Sequence, residues 1–194
     1  QKTPDAGESQ FFYDDLGRIV LSQNAKQQAE GWSSYTYYDA QGRNVEVGKI
    51  KASGNLKQLA ANRQTWLSYI NTTYRAEITH TYFDKPANPT ISSAFGTQGQ
   101  QNLRNRIGTV AIFADDDKYR AMDYSHATHF TYDVAGNVPT LLQDYGKLSP
   151  FGSGNVRNQS KEVKYFFDLV SGKVNEVQYQ AGYADQFMHR YEYN

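Results

Sequence analysis

The stretch YTYYDAQGRNVEVGKI, residues 35–50, decides the fold. Two aromatics lead into Tyr38-Asp39, two residues pass, Gly42-Arg43 follows, and an alternating apolar run resumes at Val45 and Val47. An aspartate accepts backbone N–H bonds in an Asx-type turn, and a glycine three places on takes positive φ without steric cost. With β-formers on either side this is a β-hairpin whose turn ends in a left-handed residue. The phrase returns as Tyr13-Asp14-x-x-Gly17-Arg18 and Tyr132-Asp133-x-x-Gly136-Asn137. A looser copy is Phe167-Asp168-x-x-x-Gly172-Lys173, and a degraded one is Phe83-Asp84-Lys85-Pro86. Tyr191-Glu192-Tyr193-Asn194 reads as the start of another. Repetition of this kind points to units that bury their apolar faces only against neighbours.

Aromatics also recur three places before the aspartate, as Phe11, Phe130 and Tyr165 (and Tyr191 before Asn194), so a two-residue period places each pair on one strand face. That predicts an aromatic ladder packing the sheet. Second strands are expected at Ile19–Leu21, Val45–Val47, Val138–Leu142 and Val174–Tyr179. Successive aspartates lie 25, 45, 49 and 35 residues apart (14, 39, 84, 133, 168), so the middle units carry insertions. One, about 56–69, has apolar residues at 56, 59, 60, 66 and 67 and predicts a short amphipathic helix. The others, Lys85–Asn105 and Leu148–Ser160, are rich in Gly, Pro and polar residues and read as loops. The expected fold is all-β: repeated hairpins in a curved or spiralling antiparallel sheet with one short helical insertion. Residues 1–10 form a flank, and 11–194 form one repeat segment of a longer protein.

Composition narrows the function classes. Lys+Arg and Asp+Glu are 20 each, which argues against a general nucleic-acid binder. There is no cysteine, hence no disulfide, thiolate metal site or cysteine nucleophile. No apolar run approaches membrane-spanning length, and no apolar signal core opens the chain, so export would need a signal outside these residues. An apolar fraction of 39% and a mean hydropathy of −0.75 invite a reading as disorder. Sixteen tyrosines, ten phenylalanines and zero net charge oppose it and favour sheet with much polar surface.

The segments FFYDDLGRIV, YTYYDAQGRNVEVGKI, HFTYDVAGNV and YFFDLVSGKVNEVQYQAG, with HRYEYN after the last, resemble the tyrosine–aspartate (YD) repeats of bacterial Rhs proteins, insecticidal toxin-complex shells and teneurins. The resemblance covers roughly residues 11–194. It implies hairpins coiled into a long spiralling sheet, which in toxin-bearing members closes around a C-terminal toxic polypeptide. It makes Tyr13, Asp14, Gly17, Tyr38, Asp39, Gly42, Phe83, Asp84, Tyr132, Asp133, Gly136, Phe167, Asp168 and Gly172 structural repeat anchors. It further implies a secreted or cell-surface protein whose partners are neighbouring repeats, an enclosed toxin, or surface glycans. The self-cleaving members use an Asp-Pro-Gly-containing stretch, and no Asp-Pro occurs here. The Asp84 copy lacks its glycine, so that hairpin must turn differently, and the extra residue before Gly172 implies a longer loop or a bulge.

Candidates for chemistry are few, and neither an enzyme, a metal nor a cofactor is expected. His126 and His129 are three apart, on opposite faces of a strand, which is poor geometry for one metal ion. His80 and His189 read as sheet-surface residues. Asp115-Asp116-Asp117 lacks the EF-hand order and reads as a solvated acidic loop. A glycosidase would need two converging carboxylates, but most acids here belong to turns. Trp32, Trp66 and the tyrosines offer faces for sugars, which keeps a carbohydrate- or receptor-binding repeat module as the alternative. Gly96-x-x-Gly99 lacks the setting of a phosphate cradle. Asn71-Thr72-Thr73 and Asn158-Gln159-Ser160 match glycosylation sequons of a length that arises by chance.

Overall fold

The computed structural model describes residues 2–3, 7–87, 94–145 and 160–193. Eleven strands form one open sheet: β3 (Gln10–Tyr13), β4 (Ile19–Gln23), β5 (Trp32–Tyr38), β6 (Asn44–Lys51), β7 (Arg75–Phe83), β8 (Ile107–Asp115), β9 (His126–Thr131), β10 (Thr140–Asp144), β11 (Ser160–Phe167), β12 (Val174–Tyr179) and β13 (Phe187–Arg190). Their order in the sheet is their order in the chain, so β3 and β13 are its outer strands. β1 (Lys2–Thr3) and β2 (Gly7–Glu8) make a separate two-stranded ladder. The fold is all-β, an antiparallel sheet of consecutive hairpins, and the repeat phrases lie between paired strands. The sequon at Asn158 and most of the loop Leu148–Ser160 lie outside the described residues.

Four short helices are present among the described residues, where one insertion was expected. The segment 56–69 is two helices, α2 (Leu56–Ala61) and α3 (Arg63–Thr72). They divide at Asn62, which is extended and accepts a bond from the Thr65 N–H at 2.9 Å, capping the second helix while ending the first. α1 (Ala25–Glu30) has a capping box between Asn24 and Gln27 and stops at left-handed Gly31. α4 (Asp116–Arg120) starts on Asp115, whose carboxylate accepts from the Lys118 N–H.

The chain divides into two compact units interleaved in sequence: residues 1–80 with 112–124, and residues 81–111 with 125–194. In the first, α2 packs on β3 and β4. Val20, Leu21, Tyr35, Ile50, Leu59, Trp66 and Ile70 form its buried cluster, with Phe12, Tyr37 and Tyr69 packed around them. Trp66 meets Tyr35 edge-on at 6.3 Å and stacks on Tyr69 at 6.4 Å. In the second unit, the buried apolar residues among those described are Leu103, Ala111, Ala127 and Leu142, and none lies beyond 142. Its buried positions are otherwise polar: Gln100, Thr109, His129, Thr131, Asp144 and Gln180.

The aromatic ladder is covered unevenly. Phe11 and Tyr13 are exposed, as are Tyr191 and Tyr193, while Phe130 and Tyr165 are half-buried. On β9 the buried face is Ala127, His129 and Thr131, the face opposite Phe130. On β9 burial goes to small and hydrogen-bonded residues, and on β3 Phe11 and Tyr13 lie on the less covered side, whereas Tyr38 packs against the core cluster of the first unit.

Candidate functional site: the repeat turns and their junctions

Each turn is built by its aspartate. In the first, the Gly17 N–H donates to the Asp14 carbonyl at 3.0 Å and the Asp14 N–H to the Arg18 carbonyl at 2.9 Å. Asp14 Oδ1 accepts from the N–H groups of Leu16 and Arg18, and Oδ2 accepts from Arg18 Nε at 2.8 Å. Asp39 repeats this with Gln41 and Arg43, and Asp133 with Asn137, whose Nδ2 donates at 2.9 Å. Gly17, Gly42, Gly136 and Gly172 hold φ of 74°, 80°, 98° and 69°, where a β-carbon is strained. At Asp168 the extra residue is absorbed inside the turn: Gly172 N–H reaches the Asp168 carbonyl across one more residue, at 2.9 Å. A register shift precedes Tyr13, Tyr38 and Phe167 alike, so the bulge is a feature of these hairpins and is not special to the longer turn.

These bonds favour ionised carboxylates. Burial alone would raise Asp14 and Asp39, but their arginines and backbone donors hold both below the usual range. Asn137 does the same for Asp133, and the Ser171 and Val170 N–H groups for Asp168.

The degraded copy recovers part of the turn in space. The Asp84 N–H donates to the Arg106 carbonyl at 3.1 Å, and Asp84 Oδ1 accepts from the Asn105 N–H at 2.6 Å. Asn105 has φ 58°, a left-handed conformation that asparagine tolerates better than most residues. Asn105-Arg106 therefore stands where the Asp14 and Asp39 copies have Gly-Arg. The pairing was hidden by sequence separation; the signal available was a polar residue followed by Arg106 and the β-branched Ile107.

A second device joins one hairpin to the next. Arg18 lies 4.5 Å over the Tyr38 ring, and the Tyr38 hydroxyl donates to the Ile19 carbonyl at 3.2 Å. Arg106 lies 5.1 Å over Tyr132, whose hydroxyl donates to the Ile107 carbonyl at 2.9 Å. Lys173 lies 4.6 Å over Tyr193, whose hydroxyl donates to the Val174 carbonyl at 2.7 Å. In each, the basic residue closing one turn covers the tyrosine that opens the next phrase, and the carbonyl of the residue after that basic one accepts a hydrogen bond from the tyrosine hydroxyl. At the two intervening junctions the phrase begins with Phe83 or Phe167, which have no hydroxyl to donate.

Away from the turns, the first unit buries an ionic cluster. Arg75 Nη1 is 2.6 Å from Glu46 Oε1, and Arg75 Nε and Nη2 reach Asp116 Oδ1 at 3.0 and 2.5 Å. The Tyr35 hydroxyl donates to Glu46 Oε1 at 2.6 Å, and His80 Nδ1 lies 2.8 Å from Glu46 Oε2. Burial would raise the Glu46 carboxyl, but His80, Tyr35 and the Arg75 charge hold it below the usual range. Two sequence readings are corrected here. Asp116 is a buried partner of Arg75, not part of a solvated loop, and His80 is a half-buried partner of Glu46, not a sheet-surface residue. Their sequence gave no sign of this because the partners lie up to 41 residues apart.

In the second unit His129 is fully buried and its Nδ1 is 2.9 Å from Thr109 Oγ1. Burial and the neighbouring His126 push it down to about 4, so it stays neutral. Among the described residues no group of three or more His, Cys, Asp or Glu could hold a metal ion, and no helix is long and apolar enough to cross a membrane. Each anchor aspartate is occupied within its own turn.

No protein-family model and no curated protein matches the chain. Among solved structures it is similar to chains in the crystal structures of TcdB2-TccC3, at 13% identity and a TM-score of 0.46, and of TcdB2-TccC3-Cdc42, at 14% and 0.40. Each likeness covers 97% of this chain, which spans 9% and 8% of those chains.

Proposed function

We propose that this chain is a wall segment of an Rhs/YD-repeat shell, exported or displayed at a cell surface, that encloses and helps deliver a toxin polypeptide and performs no chemistry of its own. The observation that carries this reading is the junction geometry. Turn, basic residue and following tyrosine repeat as one unit, so a wall can be lengthened without redesign, and two outer strands stand ready to continue it. Tyr13, Asp14, Gly17 and their counterparts act as the repeat anchors, and residues 11–194 as one repeat segment. Electron microscopy of the product of the full reading frame tests this: a hollow particle enclosing density is expected, and a solid or fibrous particle with no interior overturns it.

A further inference from the structure

In the second unit β9 and β11 both pair with β10, so they run parallel and the turns that follow them leave the sheet at one rim. Thr131 and Lys164 both stand opposite Thr140. Asp133 lies two residues past Thr131 and Asp168 four past Lys164, so the Asp168 turn stands further out. At its tip are Leu169 and Val170, at 101% and 96% relative exposure, and Val134 on the neighbouring turn is at 94%. Turn chemistry asks for none of these side chains, since the Asp39 turn forms its bonds around Ala40 and Gln41. Two adjacent aliphatic side chains are thus held in water at a cost that the hairpin does not recover.

The backbone of this tip satisfies itself. Asp168 Oδ1 accepts from the Val170 N–H at 3.1 Å and the Ser171 N–H at 2.6 Å, and the Asp168 carbonyl accepts from the Gly172 N–H at 2.9 Å. Three successive donors are paired inside the turn, which removes much of the cost of taking backbone into an apolar medium. Behind the tip the side chains turn amphipathic. Tyr193, half exposed, donates to the Val174 carbonyl and lies under Lys173 Nζ at 4.6 Å. The Tyr191 N–H donates to the Asn175 carbonyl at 2.9 Å, which holds a second exposed tyrosine beside it. Aliphatic side chains outermost, with tyrosines and a lysine set behind them, follow the depth order of a bilayer interface.

We infer that the Asp168–Lys173 turn is a membrane-contact tip that seats Leu169 and Val170 in the interface of a zwitterionic bilayer. A bilayer closes around a protruding shape, whereas a folded partner would need a pocket for each of two almost wholly exposed side chains. The tip's own charges, Asp168 and Lys173, cancel at headgroup level, so anionic lipid adds little. Two aliphatic side chains give weak, reversible binding. The contact stands whether or not the chain forms a wall.

Methyl-labelled 194-residue chain, mixed with phosphatidylcholine bicelles bearing a gadolinium-chelate lipid, tests the assignment by NMR. The Leu169 and Val170 methyls are expected to broaden first, ahead of Val134, while the buried Val20 and Leu142 stay sharp. Leu169→Ser combined with Val170→Ser is expected to keep the melting temperature and weaken binding to phosphatidylcholine vesicles at least about tenfold, as lost burial of two aliphatic side chains does. Adding phosphatidylglycerol is expected to change binding less than about threefold. Even broadening along the chain, binding that appears only with phosphatidylglycerol, or binding unchanged in the double variant overturns the tip. Shifts of Leu169 and Val170 with protein concentration alone, without lipid, mean that a second copy covers them and overturn it as well.

Discussion

Unit 1 lays α2 over its hairpins and buries Leu21, Ile50 and Trp66 beneath them, whereas unit 2 closes its strands around His129, Thr109 and Gln180. The turns are the same in both: Asp14 and Asp133 make nearly identical bonds. Turn chemistry therefore sets register independently of what backs the sheet, and the insertion between β6 and β7 decides where apolar burial happens. Strands β11 to β13 show the limit of this independence. They are paired throughout, yet Phe166, Phe187 and Met188 remain exposed.

The sharpest way to break the contrast is to truncate one large side chain in each unit. Trp66→Ala is expected to cost about 3–5 kcal/mol in chemical denaturation, because the stacked and edge-on partners cannot collapse into the space. Phe187→Ala, at a site 51% exposed, is expected to cost under about 1 kcal/mol. Equal costs would erase the distinction. Arg75→Ala belongs with the large effects, about 3–5 kcal/mol, since it strands Glu46 and Asp116 as buried charges.

Acid sharpens the contrast next. His129 has a folded value near 4 against an ordinary 6.5, so the unfolded chain takes up the proton first as pH falls. Its contribution is complete above about 6.5 and lost progressively toward 4, about 3 kcal/mol in all. In unit 1, Asp14, Asp39 and Glu46 are depressed, so their contribution persists until pH falls below the usual carboxylate range. Denaturation between pH 6.5 and 4 is thus expected to weaken unit 2 selectively, and His129→Gln to flatten that slope.

Smaller effects test what the units share. Tyr38→Phe, Tyr132→Phe and Tyr193→Phe each remove one hydroxyl bond and keep the ring under its cation, for an expected loss of about 0.5–1.5 kcal/mol apiece. Smallest is Asn105→Gly, which restores the residue used at the other turns and is expected to stabilise by a few tenths of a kcal/mol. A loss on that substitution would mean the Asp84 turn is held by something other than its dihedral.

Local chemistry was legible in residues 35–50 and their compact copies because every partner in the turn lies within five positions. The strand order followed, since hairpins in succession leave few other pairings. The break at Asn62 was readable as a cap but was masked by an apolar pattern that runs through it. Glu46, Arg75 and Asp116 were not readable, because charges far apart in the chain look like surface residues until strands bring them together. How far the aromatic face is covered was not readable for a related reason: period-two spacing identifies a face but not what lies over it, so Tyr38 packs on the core while Phe11 and Tyr13 stay exposed. Trp32 opens β5 and Tyr74 precedes β7, and they meet only because both lie beside Lys51 at the end of β6.

Peptide-resolved hydrogen exchange on the native chain addresses the contrast most directly. Amides of β5, β6 and the Arg75–Ile78 part of β7 should be the slowest, and those of β11 to β13 should exchange at least about a hundredfold faster, the difference of roughly 3 kcal/mol that core backing implies. Equal protection in β12 and β6 would contradict the division, showing that pairing and turns alone hold these strands.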